Sequence, residues 1–233
     1  MTARAEMTWQ VPVGSERTTI AWDPPGGDSV RAVFVCAHGA GGQMNDRSIL
    51  AVTRALRERG IGTVRSNFLY RERKSGRPDP MPKLRECYEA VVASVRKELA
   101  PPTLVVGGRS MGGRAASMLV ADGAACDGLL LLAYPLHPPG QPGKLRVEHL
   151  PRIAVPVLCV NGTRDPFCDQ ALMKRTLAGL GANWQMLWLA GADHSFHVLK
   201  SSGRTDGDVL EEVAAAGEKW LRGTVQPASG HSS

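Results

Sequence analysis

The sequence predicts a single α/β domain built on a mostly parallel sheet with helices on both faces. The 233 residues are the length of one ordinary domain. Hydrophobic residues at 43% and charged residues at 21% are close to the averages of globular proteins, which argues against a collagen, a coiled coil or a disordered chain. Short apolar runs alternate with segments of helical periodicity along the chain, and this succession is typical of strand–helix–strand units.

The first half of the chain begins with two short strands. Residues 9–13 and 18–22 are interpreted as edge strands joined by a Gly-Ser turn. The nearly continuous apolar run 30–37 (VRAVFVCA) is typical of a strand buried in a parallel sheet. The apolar spacing that follows predicts a helix over 46–58, a strand over 62–68 and a helix over 83–99.

The second half continues the same alternation. Its patterns predict strands over 103–107, 129–134, 155–161 and 184–189, and helices over 110–121, 170–180 and 209–221. The sheet is therefore expected to hold about seven to eight strands. We expect one domain over 1–222, followed by a disordered tail over 223–233, which is rich in Gly, Ser and Pro.

Composition makes several classes of partner and location unexpected. No apolar run reaches the roughly 20 residues that a membrane span needs, and residues 1–10 lack the apolar core of a secretory signal. The net charge is +6, but the basic residues alternate with acidic ones on predicted helices, so no nucleic-acid partner is expected. Five cysteines without a C-x-x-C spacing indicate a reducing, cytoplasmic location without disulfides or zinc.

Four loops that follow predicted strands carry unusual residues. Open parallel sheets bind ligands beyond the carboxyl ends of their strands, so these loops are the natural place for a site. The loops are 38–42 (HGAGG), 108–112 (GRSMG), 162–165 (GTRD) and 191–194 (GADH).

The segment 108–112 matches the pattern G-x-S-x-G, with a strand before it and an apolar-periodic helix after it. In this pattern a serine occupies a sharp, strained strand-to-helix turn, and the glycines on either side relieve the crowding. The helix N-terminus also provides a positive dipole near any developing anion. Ser110 is therefore a candidate nucleophile; an unreactive glycine-rich turn is the alternative.

A serine hydroxyl needs a base to take its proton, and the base needs a carboxylate to orient it. Asp165 and His194 each follow a predicted strand downstream of Ser110, which suits these two roles. Asp193 is a weaker candidate because neighbouring side chains usually diverge. His197 is interpreted as a polar group at a helix end or on the surface, and no metal site is expected. Cys168 is interpreted as a packed thiol.

The glycine-rich loop 38–42 could supply the remaining requirement of acyl transfer. A tetrahedral oxyanion needs two backbone N–H donors, one after the nucleophile and one from a loop after an early strand. We assign these donors to Met111 and Ala40, with Gly41 as the alternate. A phosphate-binding loop is the competing interpretation, but the pattern G-x-x-x-x-G-K-[ST] is absent from the sequence.

At these residues the chain resembles the α/β-hydrolase superfamily over nearly its whole length. It looks most like the small cap-less hydrolases of the KANL/TEX-type group, which are related to dienelactone hydrolase. The segments that carry the resemblance are CAHGAGG (36–42), NFLYRERKSGRPDP (67–80), GGRSMGGRAAS (107–117), YPLHPPGQPGKLRVEHL (134–150), NGTRDPF (161–167) and GADHSF (191–196). Ser110 stands where dienelactone hydrolases use cysteine, so the resemblance does not extend to a cyclic dienelactone substrate.

The resemblance implies an α/β-hydrolase fold and a serine hydrolase that needs no cofactor. In that reading Ser110 attacks an acyl carbonyl, His194 carries the proton and Asp165 orients His194. A large cap is usually inserted near residues 135–154, where this chain has only a short segment, so the site should be open. The expected substrate is a small or short-acyl ester, which makes the protein a carboxylesterase.

Residues that contact this substrate are harder to select. Tyr70, His137 and Phe196 are candidate pocket walls, although Tyr70 and Phe196 could equally be packing residues. Arg109 lies beside the nucleophile, and Arg71, Arg73 and Lys74 crowd one loop. These four could favour an anionic part of a substrate, and a solvated basic loop is the alternative.

Two other functions are also compatible with the sequence. Some members of the group resemble non-catalytic scaffolds in chromatin complexes, although an intact Ser110, Asp165 and His194 favours catalysis. An acyl transferase or perhydrolase would use the same three residues with another acceptor. The sequence does not indicate the oligomeric state.

Overall fold

The computed structural model describes residues 5–27 and 30–224, and its centre is an eight-stranded sheet. The strands are β1 (Met7–Val13), β2 (Glu16–Asp23), β3 (Ala32–Ala37), β4 (Ile61–Ser66), β5 (Leu104–Arg109), β6 (Gly128–Leu132), β7 (Val157–Gly162) and β8 (Trp184–Leu189). Their spatial order is β1-β2-β4-β3-β5-β6-β7-β8. β2 pairs antiparallel with β1 and β4, and the remaining neighbours pair in parallel.

Helices cover both faces of this sheet. They are α1 (Arg47–Glu58), α2 (Leu69–Glu72), α3 (Met81–Leu99), α4 (Met111–Ala121), α5 (Gln170–Ala178) and α6 (Asp206–Thr224). α1 and α6 pack in one core, and α3, α4 and α5 pack in the other. β3 supplies both cores because its side chains alternate: Val33 and Val35 face one, Phe34 and Cys36 the other.

The predicted architecture is confirmed: the sheet is mostly parallel, has eight strands and carries helices on both faces. One detail is wrong. The segment predicted as a second edge strand is β2, which lies inside the sheet because its far side pairs with β4. The short helix α2 was not predicted, since four residues are too few to show a helical period.

The chain between β6 and β7 contains only a short 3₁₀ turn at Leu150–Arg152, so no separate cap covers the carboxyl edge of the sheet there. At the other end of the chain, α6 continues to Thr224 and takes in the first two residues of the predicted disordered tail. The rest of that tail, 225–233, lies outside the described residues. Among the described helices, none is long and apolar enough to cross a membrane.

Candidate active site

Ser110 sits in a sharp turn between β5 and α4, with φ +51° and ψ −117°. This is a region that residues with a Cβ rarely adopt. The turn presses against β3, and a Cβ at Gly108 would overlap the carbonyl oxygen of Ala37. A Cβ at Gly112 would lie 2.6 Å from the carbonyl oxygens of Ala37 and His38. The two glycines of the motif are therefore required by close approach of the backbone, and they let the turn present Ser110 at the sheet edge.

Ser110, His194 and Asp165 form a continuous chain of hydrogen bonds at that edge. Ser110 Oγ lies 3.0 Å from His194 Nε2, and His194 Nδ1 lies 2.8 Å from Asp165 Oδ2. The three residues follow β5, β8 and β7, whose carboxyl ends meet at one edge because the strands are parallel. The Asp165 side chain is fully buried, whereas that of His194 is 21% exposed. This arrangement can move a proton from the serine hydroxyl to the imidazole.

Asp165 is surrounded by hydrogen-bond donors. Asn161 Nδ2 donates to Asp165 Oδ2 at 3.2 Å, and the Phe167 backbone N–H donates to Oδ1 at 2.8 Å. Asn161 is itself held between strands, because its Nδ2 also donates to the Tyr134 carbonyl and its Oδ1 accepts from the Tyr134 N–H. Only a carboxylate, which accepts on both oxygens, satisfies all the donors around this position.

The His194 loop is held by contacts on several sides. The Phe167 ring lies against the imidazole at a centroid distance of 4.3 Å. The Arg109 guanidinium donates to the His194 carbonyl oxygen from the end of β5. Asp193 accepts from the backbone N–H groups of Ser195 and His197, so its carboxylate closes the turn and does not contact the imidazole.

The loop after β3 lies against Ser110. A Cβ at Gly39 would be 3.5 Å from the Ser110 Cβ, and Gly42 N–H donates to the Gly39 carbonyl to close a tight turn. Ala40 and Met111 line the same cavity as Ser110. Met111 is the first residue of α4, where an N–H has no partner within the helix. The loop and the helix start therefore place two candidate oxyanion donors next to the serine.

The buried ring of His38 holds the loop after β3 by hydrogen bonds to two backbone groups. Its ring is buried, with Nδ1–H donating to the Gly39 carbonyl at 2.8 Å and Nε2 accepting from the Phe68 N–H at 3.2 Å. Burial lowers the pKa of His38 to about 4, so the ring is neutral at physiological pH. A neutral ring with one donor and one acceptor matches both backbone partners.

We expect folding stability to fall as the pH drops from 7 to 5. His38 and His149 are both buried, and in both the pKa is lowered from 6.5 to about 4, chiefly by burial. Below pH 6.5 the unfolded imidazoles bind protons that the folded ones do not, so stability present at neutral pH is lost on acidification, by about 2 kcal/mol per histidine at pH 5. Urea unfolding at the two pH values measures the loss.

The variant His149→Gln should lose about half of this decline, because it removes one of the two buried titrating groups. His197→Gln is the matched control, since His197 is exposed. A decline that is equally steep in wild type and His149→Gln would contradict the assignment.

A cavity of about 360 Å³ opens beside Ser110. It is lined by Ala40, Asp79, Met81, Leu84, Ser110, Met111, Arg114, Pro135, Arg146 and Phe167. The lining combines an apolar wall with three charged side chains, which is typical of a site for a small polar molecule.

The sequence of residues 30–222 matches the family model described as an alpha/beta hydrolase domain. The chain belongs to the α/β-hydrolase superfamily. Among solved structures it is similar to an a/b serine hydrolase without lid from Xanthomonas campestris, with 25% identity, a TM-score of 0.71 and coverage of 95% of this chain and 94% of that one. It is also similar to an alpha-beta serine hydrolase homologue from Coxiella burnetii, with 22% identity, a TM-score of 0.73 and coverage of 95% and 98%.

A dienelactone hydrolase from Anabaena variabilis shares the fold at 18% identity, with a TM-score of 0.74 and coverage of 97% of this chain and 100% of that one. At this identity the similarity concerns the fold alone. The resemblance to α/β-hydrolases that was read from the sequence motifs is thus confirmed at the level of the superfamily.

The four side chains predicted to contact substrate do not line the cavity beside Ser110 in this α/β-hydrolase domain. Tyr70 is fully buried against the His38 ring. His137 is buried, and its Nε2 accepts from the Asp169 N–H. Phe196 packs under the Arg109 guanidinium, and both line a second cavity of about 650 Å³ between α1 and α6. A contact between these four side chains and a substrate stays a prediction.

The remaining candidates are placed as follows. Arg73 is paired with Glu16 and Asp79, and Arg71 lies over the Tyr70 ring. His197 is exposed and contacts Asp206 at 3.0 Å. Cys168 is buried, and burial raises the pKa of its thiol, which suits a packed residue.

Several residues that shape the site were missed at the sequence level. Asn161 had one usable signal, a polar residue near the carboxyl end of an apolar strand. Arg114 could also have been found from the sequence, because it follows Ser110 by four residues on a helix and so lies on the same helix face. Arg146 and Phe167 lie in loops without periodicity, and nothing local indicates where they point.

Proposed function

We propose that this chain is a serine hydrolase that cleaves small or short-acyl carboxylic esters. Ser110 is the nucleophile, His194 the general base and Asp165 the residue that orients His194. The observation that supports this most strongly is the hydrogen-bonded chain from Ser110 Oγ through His194 to the buried Asp165, at 3.0 and 2.8 Å, at the edge of an open cavity.

In the first half of the reaction, Ser110 Oγ attacks the acyl carbon and its proton passes to His194 Nε2. The carbonyl π electrons move to oxygen, and the resulting oxyanion accepts hydrogen bonds from the Ala40 and Met111 N–H groups. The tetrahedral intermediate collapses, the bond to the alcohol oxygen breaks, and His194 protonates that oxygen. The acyl group is left as an ester on Ser110.

In the second half, water takes the place of the alcohol. His194 accepts a proton from the water as its oxygen attacks the acyl carbon, and the bond to Ser110 Oγ breaks as the serine is reprotonated. Asp165 remains ionised and stabilises the imidazolium. Every step uses side chains, backbone N–H groups and water, so the proposal includes no metal or cofactor.

A fluorophosphonate provides a direct test, because it reacts with serines that a base has activated. We expect intact-mass measurement to find one adduct on the wild type and none on Ser110→Ala or His194→Ala. His197→Ala, an exposed histidine three residues away, is the control and should still be labelled. Absence of the adduct from correctly folded wild type, or its persistence in Ser110→Ala, would contradict the proposal.

A further inference from the structure

The cavity beside Ser110 contains two arginine side chains that the proposed reaction does not use. Arg114 lies on α4 one turn after Ser110, and its backbone N–H donates to the Ser110 carbonyl at 3.0 Å. Arg146 comes from the loop after β6, and its backbone is held by two bonds, from its N–H to Leu136 O and from Tyr134 Oη to its carbonyl. Both side chains are thus presented by well-anchored backbone.

These two guanidinium groups lack the acidic partners that arginines usually have. In the described part of the chain, no carboxylate lies within ion-pair distance of Arg114 or Arg146. Arg114 Nε is buried without a hydrogen-bond partner, and Arg146 makes one bond of 3.3 Å to the Pro135 carbonyl. Leaving a buried donor such as Arg114 Nε unpaired costs free energy, so an acceptor that binds beside it would be stabilised.

The positive charges also act on each other. Burial and the neighbouring charge of Arg114 lower the pKa of Arg146. Asp79 lines the same cavity; its Oδ1 is paired with Arg73 and its Oδ2 is buried without a partner, so the lining has one carboxylate against two guanidinium groups. The cavity therefore retains an uncompensated positive potential within reach of the nucleophile. An anion placed between the two arginines would relieve the repulsion and satisfy their donors.

We infer that the Arg114–Arg146 pair binds a second, anionic group of the substrate, so that the preferred ester carries a free carboxylate or a phosphate in addition to the bond that is cleaved. This inference rests on the proposed serine hydrolase function and specifies its substrate class. Both anions suit the fork-like geometry of arginine, which can donate two parallel hydrogen bonds to either.

The test compares two esters of equal shape. They are the 4-nitrophenyl monoesters of adipic acid and of 6-methylheptanoic acid, in which an isopropyl group replaces the free carboxylate. We expect wild type to prefer the adipate ester by roughly 10- to 100-fold in kcat/KM, the usual value of hydrogen bonds to a charged group. Arg114→Gln and Arg146→Gln should each lower this ratio about tenfold or more.

Arg31→Gln is the matched control, because it removes the same charge from an exposed position before β3, at the opposite edge of the sheet. Its preference ratio should equal that of wild type. Arg114→Lys keeps the charge but loses the fork and should retain part of the preference. A wild-type ratio near or below one, with both esters hydrolysed, would overturn the inference and leave the proposed function intact.

A binding measurement makes the result independent of turnover. Millimolar adipate or phenyl phosphate should raise the Tm of wild type and of Arg31→Gln, but not that of Arg114→Gln or Arg146→Gln. Whichever probe gives the larger shift identifies the anion as carboxylate or phosphate. If neither ester is cleaved and no fluorophosphonate adduct forms, the proposed function fails and the ester preference fails with it. The absence of a Tm shift in wild type overturns the anion site whatever the ester assays show.

Discussion

Replacing Ser110 by alanine is expected to lower kcat for a simple ester by roughly 10⁵-fold or more, the scale seen when a triad nucleophile is removed. Replacing it by glycine should abolish activity to the same degree but raise stability. Ser110 has φ +51° and ψ −117°, a conformation that costs a residue with a Cβ about 1–3 kcal/mol and glycine much less.

The comparison between the two variants separates chemistry from backbone strain. Alanine retains the Cβ and therefore the strain, so Ser110→Gly should be more stable than Ser110→Ala by about 1–2 kcal/mol, equivalent to a Tm higher by about 2–8 °C. Thermal unfolding and ester hydrolysis measure the two effects. A glycine variant that is no more stable than the alanine variant would show that the turn stores no strain.

Asp165→Asn is expected to lower kcat by about 10⁴-fold while leaving the fold intact. Around this side chain His194 Nδ1, Asn161 Nδ2 and the Phe167 N–H all act as donors. An asparagine can accept on only one of its two terminal atoms, so one donor must face an NH₂ group.

The protein can relieve that conflict by turning the asparagine NH₂ toward His194. Nδ1 of the imidazole must then accept a hydrogen bond, the proton moves to Nε2, and Nε2 can no longer take the proton of Ser110. Steady-state kinetics measure the loss, and Asp193→Asn is the control. Asparagine keeps the acceptor oxygen that Asp193 offers to Ser195 and His197, so the control should lose less than about tenfold. Equal losses in both variants would contradict the assignment of Asp165.

The parts of this site that sequence could predict are those with a local backbone signature. Ser110 is recognisable because its turn demands glycines at fixed offsets, and Asp165 and His194 because each follows a strand that shows its own apolar pattern. The position of β2 inside the sheet was not predictable, since strand order depends on pairing between distant segments. Tyr70 and Phe196 were open between a pocket wall and a packing role, because aromatic side chains fill both kinds of space. The fold buries Tyr70 against the His38 ring and places Phe196 beside a cavity other than the one at Ser110.

The direction of the Arg109 side chain is another feature that the sequence could not predict. Its position beside Ser110 suggested a contact with substrate, but the side chain turns away toward Phe196 and the His194 loop. The direction of a side chain at the end of a strand depends on the register with its neighbours, which a single sequence does not contain. Arg114 and Arg146 became visible as a pair only once the fold placed α4 beside the loop after β6.

The hydrogen bond from Arg109 to the His194 carbonyl oxygen also connects a central strand of the sheet to one of its edges. Ser110 and His194, the proposed nucleophile and base, are 84 positions apart, and His194 and Asp165 are 29 positions apart. The base follows β8, which is the outermost strand on its side. Edge strands open locally more readily than central ones, so the proposed activity depends on a segment that follows an edge of the sheet. The hydrogen bond from Arg109 to the His194 carbonyl links the segment after edge strand β8 to the central strand β5. Activity is therefore expected only when both strands are folded.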